Sequence, residues 1–413
     1  MFGVYLASPV SIQSDSIWTI PTAASVWLRG DTDLDEYAPT AAHQRHGILE
    51  RAGHLQGYFP VAPALTAVPV VAVLDLCGRP LGLGEAWRAR LRAVGDVDYA
   101  AFDTTERFVA SLWTALGVTV FFLMARRQAS PAAATLVTAV LAFGTSAYST
   151  ASRVLWQHGP SLLAICAVIA LLRLRRPARG WGALTGLAVA LAYAFRPTNS
   201  VTVLLVTGLM AWKHRAQLWP YLAGASAVAV PFVASSLSTF GSVLPPYFAA
   251  TRLSPGGSTF GEALLGNLVS PGRGLLVFSP ILLVAVLSAI RRAFRGELDP
   301  TERVFALAVL LHWIVISSFP HWWGGHSIGP RLFTDALPYL AYFLIAPVDA
   351  VLGDLPRRRL AATAVGLLAT VSIFVHARGA TVRAVHGWND GPPNVDAAPA
   401  RLWDWSDLQF LRR

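Results

Sequence analysis

The strongest constraint on this chain is an alternation along its length. Apolar runs are separated by two kinds of loop that take turns. One kind is short and basic: Arg126-Arg127, Arg173 through Arg179, Lys213-His214-Arg215, Arg291 through Arg303 and Arg357-Arg358-Arg359. The other is polar, aromatic and rich in Gly and Pro: Ser149–Pro160, Arg196–Asn199, Thr239–Gly272 and His321–Pro330. A membrane-spanning helix uses roughly 20 apolar residues, and basic loops stay on the cytoplasmic side. The runs near 107–125, 132–148, 159–173, 181–196, 199–212, 219–237, 274–290, 304–319, 331–352 and 360–376 therefore read as spans, with no basic cluster on the wrong side. The expected fold is an all-α polytopic membrane protein, a bundle of about 10–11 transmembrane helices.

Composition agrees. The 413 residues are 54% hydrophobic and 14% charged, with mean hydropathy +0.50. Soluble chains carry about 25% charged residues, so a soluble enzyme, a disulfide scaffold and a disordered chain are all excluded. The net charge of +10 sums a basic cytoplasmic face and an acid-bearing outer loop, so it is not a nucleic-acid signal. Two cysteines, Cys77 and Cys166, support neither a disulfide framework nor a cysteine metal site.

The domain reading follows from sidedness. Met1–Ser8 is apolar, too short to cross and ended by Pro9, so residues 1–9 read as the outer end of a truncated first helix. Residues 10–106 form a large first outer loop, 107–376 the bundle, and 377–413 an outer, tryptophan-rich tail. Phe59–Cys77 is apolar enough to cross. Crossing, however, would put the acid-rich, arginine-poor stretch Met1–Tyr58 in the cytoplasm. Pro60, Pro63 and Pro69 are also expected to break its helix. It reads as re-entrant or interfacial.

Candidate chemistry clusters in the outer loops. Asp15, in Ser14-Asp15-Ser16, precedes a helical pattern in which Ile17, Ile20, Ala24, Trp27 and Leu28 share a face. It is placed either for acid–base work or to cap that helix. Gln157 and His158 lie before Gly159-Pro160, a helix start; His158 is either an acid, base or donor, or an ordinary interfacial residue. Arg196, in Arg196-Pro197-Thr198-Asn199, either binds phosphate or snorkels to headgroups. Arg273, His321, His326 and Arg331 sit in two Gly-rich loops whose backbone can approach a ligand closely. Asp31, Asp33 and Asp35 are weak candidates for a divalent cation; a solvated turn is the simpler reading. Too few ligands surround His321 and His326 for zinc. There is no P-loop, dinucleotide fingerprint, CxxC pair or HExxH, so a lipid-borne substrate fits better than a nucleotide-linked one.

Together these motifs resemble the GT-C superfamily of integral-membrane glycosyltransferases, in particular the protein O-mannosyltransferase and aminoarabinose-transferase types and a bacterial group with a similar tail. SIQSDSIW (Ser11–Trp18) matches the place of the catalytic Asp. FGTSAYSTASRVLWQHGPSLL (Phe143–Leu163) looks like the second-loop motif, with Gln157 and His158 where better-known families often carry an acid. AFRPTNS (Ala194–Ser200) is similar to a lysine-bearing helix junction, with Arg196 in the lysine's place. LVSPGRGLLVFSP (Leu268–Pro280) and WWGGHSIGPRLFTDALPYL (Trp322–Leu340) look like the later active-site loop and its helix. WNDGPPNVDAAPARLWDWSDLQFLR (Trp388–Arg412) resembles the tail of the bacterial group.

The resemblance implies sugar transfer from a polyprenyl-phosphate donor to an acceptor hydroxyl on a lipid, a cell-wall glycan or a protein. Transfer would be inverting, on the outer face of the bacterial cytoplasmic membrane. Asp15 would be the general base, and Arg196 with Arg273 or Arg331 would steady the leaving phosphate. No cofactor is expected. Some members use a divalent ion, and Asp31, Asp33 and Asp35 are the residues that would hold one. Two other readings compete. A transporter or flippase predicts mid-membrane charges and inverted repeats, which the sequence lacks, and a non-catalytic envelope assembly protein predicts loss of the acid, which is present.

Overall fold

The computed structural model describes residues 1–12, 14–78, 99–174 and 180–413. Gln13 of the SIQSDSIW motif, residues 79–98 of the expected outer loop and residues 175–179 of the second basic cluster lie outside the described residues.

The described chain is overwhelmingly helical, as expected. Its one sheet is a hairpin of β1 (Ile48–Arg51) and β2 (His54–Gly57), antiparallel, with Ile48 opposite Gly57. An amino-terminal group holds α1 (Phe2–Ala7), α2 (Thr19–Leu28), α3 (Ala38–His43) and α4 (Ala62–Gly78). The bundle follows: α5 (Tyr99–Ala125), α6 (Pro131–Phe143), α7 (His158–Leu172), α8 (Trp181–Phe195), α9 (Ser200–Lys213), α10 (Leu218–Phe240), α11 (Phe260–Val269), α12 (Leu282–Phe294), α13 (Pro300–Ser317), α14 (Leu337–Gly353) and α15 (Arg359–Thr381).

Each expected span contains a helix, but lengths differ from the reading. Among the described residues, five stretches are long and apolar enough to cross a membrane: Phe102–Ala125, Arg215–Phe240, Pro300–Ser317, Arg331–Gly353 and Arg359–Thr381. Others are shorter, such as α6 with 13 residues and α7 and α8 with 15 each. Two expected spans are broken. The 132–148 run leaves the α-helix at Gly144 and continues as a wide π turn over Ala147–Ala151. There the Thr145 hydroxyl bonds both the Leu141 carbonyl and the Ala147 amide, competing with the helix ladder. The 274–290 run breaks at Ser279-Pro280, between a single turn (Leu275–Phe278) and α12. Pro280 lacks an N–H and pushes Ser279 out of the helical region, to φ −130°. The prolines of Phe59–Cys77 do not break its helix. Pro60 precedes α4, Pro63 falls in the first turn where amides have no intrahelical partner, and only Pro69 removes an internal bond.

Packing places the site. α4 lies on α2, and Trp18, Ala24, Tyr37, Val71 and Phe102 form a core separate from that of the bundle. In the bundle, α8 and α10 meet backbone to backbone. A Cβ on Gly186 would lie 1.9 Å from the Tyr221 carbonyl oxygen, and one on Gly224 1.9 Å from that of Ala183. Only glycine fits at such a crossing, where dispersion between close helices replaces the hydrophobic effect that lipid cannot supply.

Candidate active site

Asp15 lies three residues before Trp18, the residue that opens α2, and that helix has no side-chain cap. The capping role is therefore not what holds the carboxylate. Its Oδ2 is 3.3 Å from Nη2 of Arg331, and its Oδ1 is 3.2 Å from Nε2 of His46, in the turn between α3 and β1. Burial pushes the Asp15 carboxyl up, but Arg331 and His46 more than offset this, and it sits below the ordinary carboxylate range. His46 moves the other way: its hydrogen bond to Asp15 raises it above the ordinary imidazole value.

Arg331 opens the 3₁₀ turn Arg331–Ala336 ahead of α14. Its guanidinium lies over the Trp156 ring, 4.4 Å from the centroid, and its Nε is buried without a hydrogen-bond partner. Desolvated stacking of this kind holds an arginine at about 0.5–2 kcal/mol while leaving its in-plane donors available.

Arg196, at the end of α8, is buried rather than snorkelling. Its Nη1 is 2.7 Å from Asp335 Oδ2 and 3.0 Å from His158 Nδ1. An arginine nitrogen only donates, so His158 Nδ1 accepts and the ring proton is assigned to Nε2. Asp335 also accepts from Thr198 at 3.0 Å and Ser161 at 2.7 Å, and Asn199 donates to Ser161. Every oxygen of this buried carboxylate is thus engaged, the condition under which such a charge is tolerated.

Asp15, Gln157, His158, Arg196 and Arg331 line one polar pocket of about 50 Å³, with Tyr247 reaching Gln157 at 3.4 Å. A cavity of about 970 Å³ adjoins it and shares Asp15, Thr19, Phe59 and Pro60. Its other walls are mostly apolar side chains of α4, α7, α8 and α10, among them Leu65, Leu163, Leu187, Leu191, Val228 and Phe232. The polar pocket sits at the helix ends opposite those that lead into Arg126-Arg127, Lys213 and Arg357-Arg358-Arg359.

The remaining expected residues lie elsewhere. Arg273 is fully buried and donates to the carbonyls of Gly272, Trp323 and Gly325, to Asn389 Oδ1 at 2.6 Å and to Gln409 Oε1 at 3.1 Å. It ties the Gly-rich loop to the carboxy-terminal tail and does not line the pocket. His321 packs on Trp323, and His326 pairs with Asp390 at 3.1 Å and Asp396 at 3.4 Å. Of the three expected acids, Asp33 and Asp35 group with His54, ligand atoms all within 4.8 Å, and Asp31 does not join them. Two carboxylates and an imidazole suit a divalent cation, but Asp35 already binds His54 at 2.6 Å and the Leu55 amide at 2.7 Å, and none of the three lines the pocket.

Sequence reasoning did not single out His46, Asp335 or Tyr247, and it gave Trp156 no role beyond that of an interfacial residue. Asp335 carried a signal: an ionisable residue leading into an apolar run. His46 carried none, since the turn and hairpin that bring it to Asp15 are invisible in an ordinary polar stretch.

No family model matches the sequence, and no curated protein matches it. Two solved structures do match the fold. They are ArnT from Cupriavidus metallidurans in the apo state and the same protein bound to undecaprenyl phosphate, with TM-scores of 0.52 and 0.51. Identity is 14% and 16%, and each match covers 99% of this chain and 73% of that one. The chain shares the fold of ArnT. ArnT is an aminoarabinose transferase of the GT-C type, so the resemblance read from the motifs holds at the level of architecture. The chain is accordingly a multi-pass membrane protein built on the same helical plan as ArnT.

Proposed function

We propose that this chain transfers a sugar from a polyprenyl-phosphate donor to an acceptor hydroxyl, at the outer face of a bacterial cytoplasmic membrane. The observation that carries the reading is the junction of the two cavities at Asp15. A lipid tail needs an apolar channel, a phosphate needs cations at its mouth, and an acceptor hydroxyl needs a base beside both. The 970 Å³ cavity, Arg196 and Arg331 of the polar pocket, and Asp15, which lines both, are the groups that would supply these. The ArnT structure bound to undecaprenyl phosphate has the same fold.

In this reading the acceptor oxygen attacks the anomeric carbon as its proton passes to Asp15. The bond from that carbon to the phosphate oxygen breaks, its electron pair leaving with the phosphate. Attack from the face opposite the leaving group inverts the centre. Oxocarbenium character at the sugar and negative charge on the phosphate develop together, and Arg331 and Arg196 are the fixed cations that meet the latter. Arg331 touches the base and the pocket at once, so it links proton removal to leaving-group departure. His158 lines the same pocket, and with Nδ1 accepting from Arg196 its Nε2–H would be the group left to donate to a substrate.

The test is a purified chain in lipid nanodiscs supplied with polyprenyl-phosphate sugars. Asp15→Asn is expected to keep expression and thermal stability and to lose transfer by at least about 10²-fold, the scale of general base catalysis. Full activity of that variant with the correct donor would sink the assignment.

A further inference from the structure

We propose that His46 governs the basicity of Asp15, orienting the carboxylate through Nε2–H when neutral and silencing it when charged, so that transfer is switched off on the acid side. This rests on the reading of Asp15 as the base.

The carboxylate has two oxygens and two partners. Arg331 holds Oδ2 at 3.3 Å, and its charge is permanent. His46 holds Oδ1 at 3.2 Å, and its charge is not. With His46 neutral, one cation acts on Asp15 and the second contact is an ordinary hydrogen bond that aims the carboxylate. With His46 protonated, two cations share one carboxylate. Each stabilises the anion relative to its protonated form, which is the form that general base catalysis must reach.

The ring is placed for this role. The Trp18 indole N–H donates to the His46 carbonyl at 2.9 Å, and the Phe59 ring lies 5.8 Å from the imidazole. Gly47, next in the chain, has φ +76°, and a Cβ there would stand 2.9 Å from Phe59. The turn is thus reserved for glycine, and it delivers the imidazole to Asp15. The ring side chain is still 54% exposed, so its protons exchange with the aqueous phase. The charged groups acting on it are Asp15, ahead of α2, and Arg331, ahead of α14. Trp18 and Phe59 bring no charge, while His43 and Arg45 on its own segment are exposed. His158, the other imidazole near the base, cannot take the role, because its Nδ1 is engaged by Arg196.

The experiment compares pH–rate profiles of the wild-type chain, His46→Gln and His46→Ala in nanodiscs with a polyprenyl-phosphate sugar donor. Glutamine places a neutral N–H donor where Nε2–H stands but cannot titrate. The expected result is a wild-type kcat that falls about tenfold per pH unit below the His46 midpoint. His46→Gln should hold a flat rate through that window with an unchanged donor KM, and His46→Ala should lose the limb and also lower the plateau. The same acid limb in His46→Gln as in wild type overturns the proposal. A donor-free NMR titration of the His46 ring separates this outcome from failure of the transfer reading. Its midpoint should fall in Asp15→Asn, and an unmoved midpoint overturns the coupling whatever the chain transfers. Absence of transfer by the wild-type chain with every donor overturns both readings.

Discussion

Asp335 Oδ2 lies 2.7 Å from Nη1 of Arg196, and both side chains are almost wholly buried. The arginine at the pocket wall is therefore a paired cation. Its partner comes from a turn more than a hundred residues later in the chain, and that pairing sets where the guanidinium can point. Asp335→Ala should leave a buried cation without its counterion, at a cost of about 3–5 kcal/mol. Thermal unfolding in detergent measures this. Asp335→Asn, which keeps the contacts to Ser161 and Thr198 in reach, should cost less.

Arg331→Lys keeps the charge but loses the stack on Trp156 and the planar fork toward Asp15. A fall in kcat of about 10²-fold is expected, with thermal stability little changed. Steady-state rates in nanodiscs check it. A variant as fast as wild type would show that Arg331 serves only as a counterion to Asp15.

Gly186→Val should separate α8 from α10, because the added atoms meet the Tyr221 carbonyl and not a movable side chain. A loss of about 3 kcal/mol, the upper end for overpacking, is expected in the same unfolding assay. Gly208, whose Cβ position meets nothing within 4 Å, should accept alanine without loss.

The Asp15–His46 pair also gives stability a pH dependence of definite sign. His46 is raised on folding, so its contribution is fully present below the ordinary value of about 6.5 and is lost as pH rises through the raised value. Asp15 is lowered, so its contribution is present above the ordinary carboxylate value and is lost only as pH falls through the lowered one. The Tm difference between wild type and His46→Gln should therefore shrink as pH rises through the raised His46 value. A difference that grows over that rise would contradict the assignment.

Much of this was legible in the sequence for a physical reason. The bilayer forces apolar runs and sorts basic loops, so helix ends announce themselves, and Asp15, His158, Arg196 and Arg331 all sit at such ends on one side. What was not legible depends on backbone. Arg273 reads like a ligand contact, yet three carbonyls of the surrounding loops satisfy it, and carbonyl positions leave no trace in a sequence. His326 reads like a donor beside glycines, yet Asp390 and Asp396 of the tail already engage both of its ring nitrogens. The breaks at Gly144 and Pro280 show the same limit. A hydropathy window averages over a residue that ends a helix, although each break turns a stretch of chain into the inside of the bundle.

The α10 helix is fastened to α8 through Gly186 and Gly224, yet very little of its apolar length is covered by the rest of the molecule. Its Ala227, Val228, Pro231 and Phe232 form one wall of the large cavity. That wall is a single helix thick, and on the proposed reading its far side faces the lipid. On the proposed reaction, a carrier's distant isoprene units would rest in bulk lipid and only the units nearest the phosphate would be measured by the protein. The chain would then be blind to carrier length, handling short and long polyprenyl donors alike so long as the headgroup end is the same.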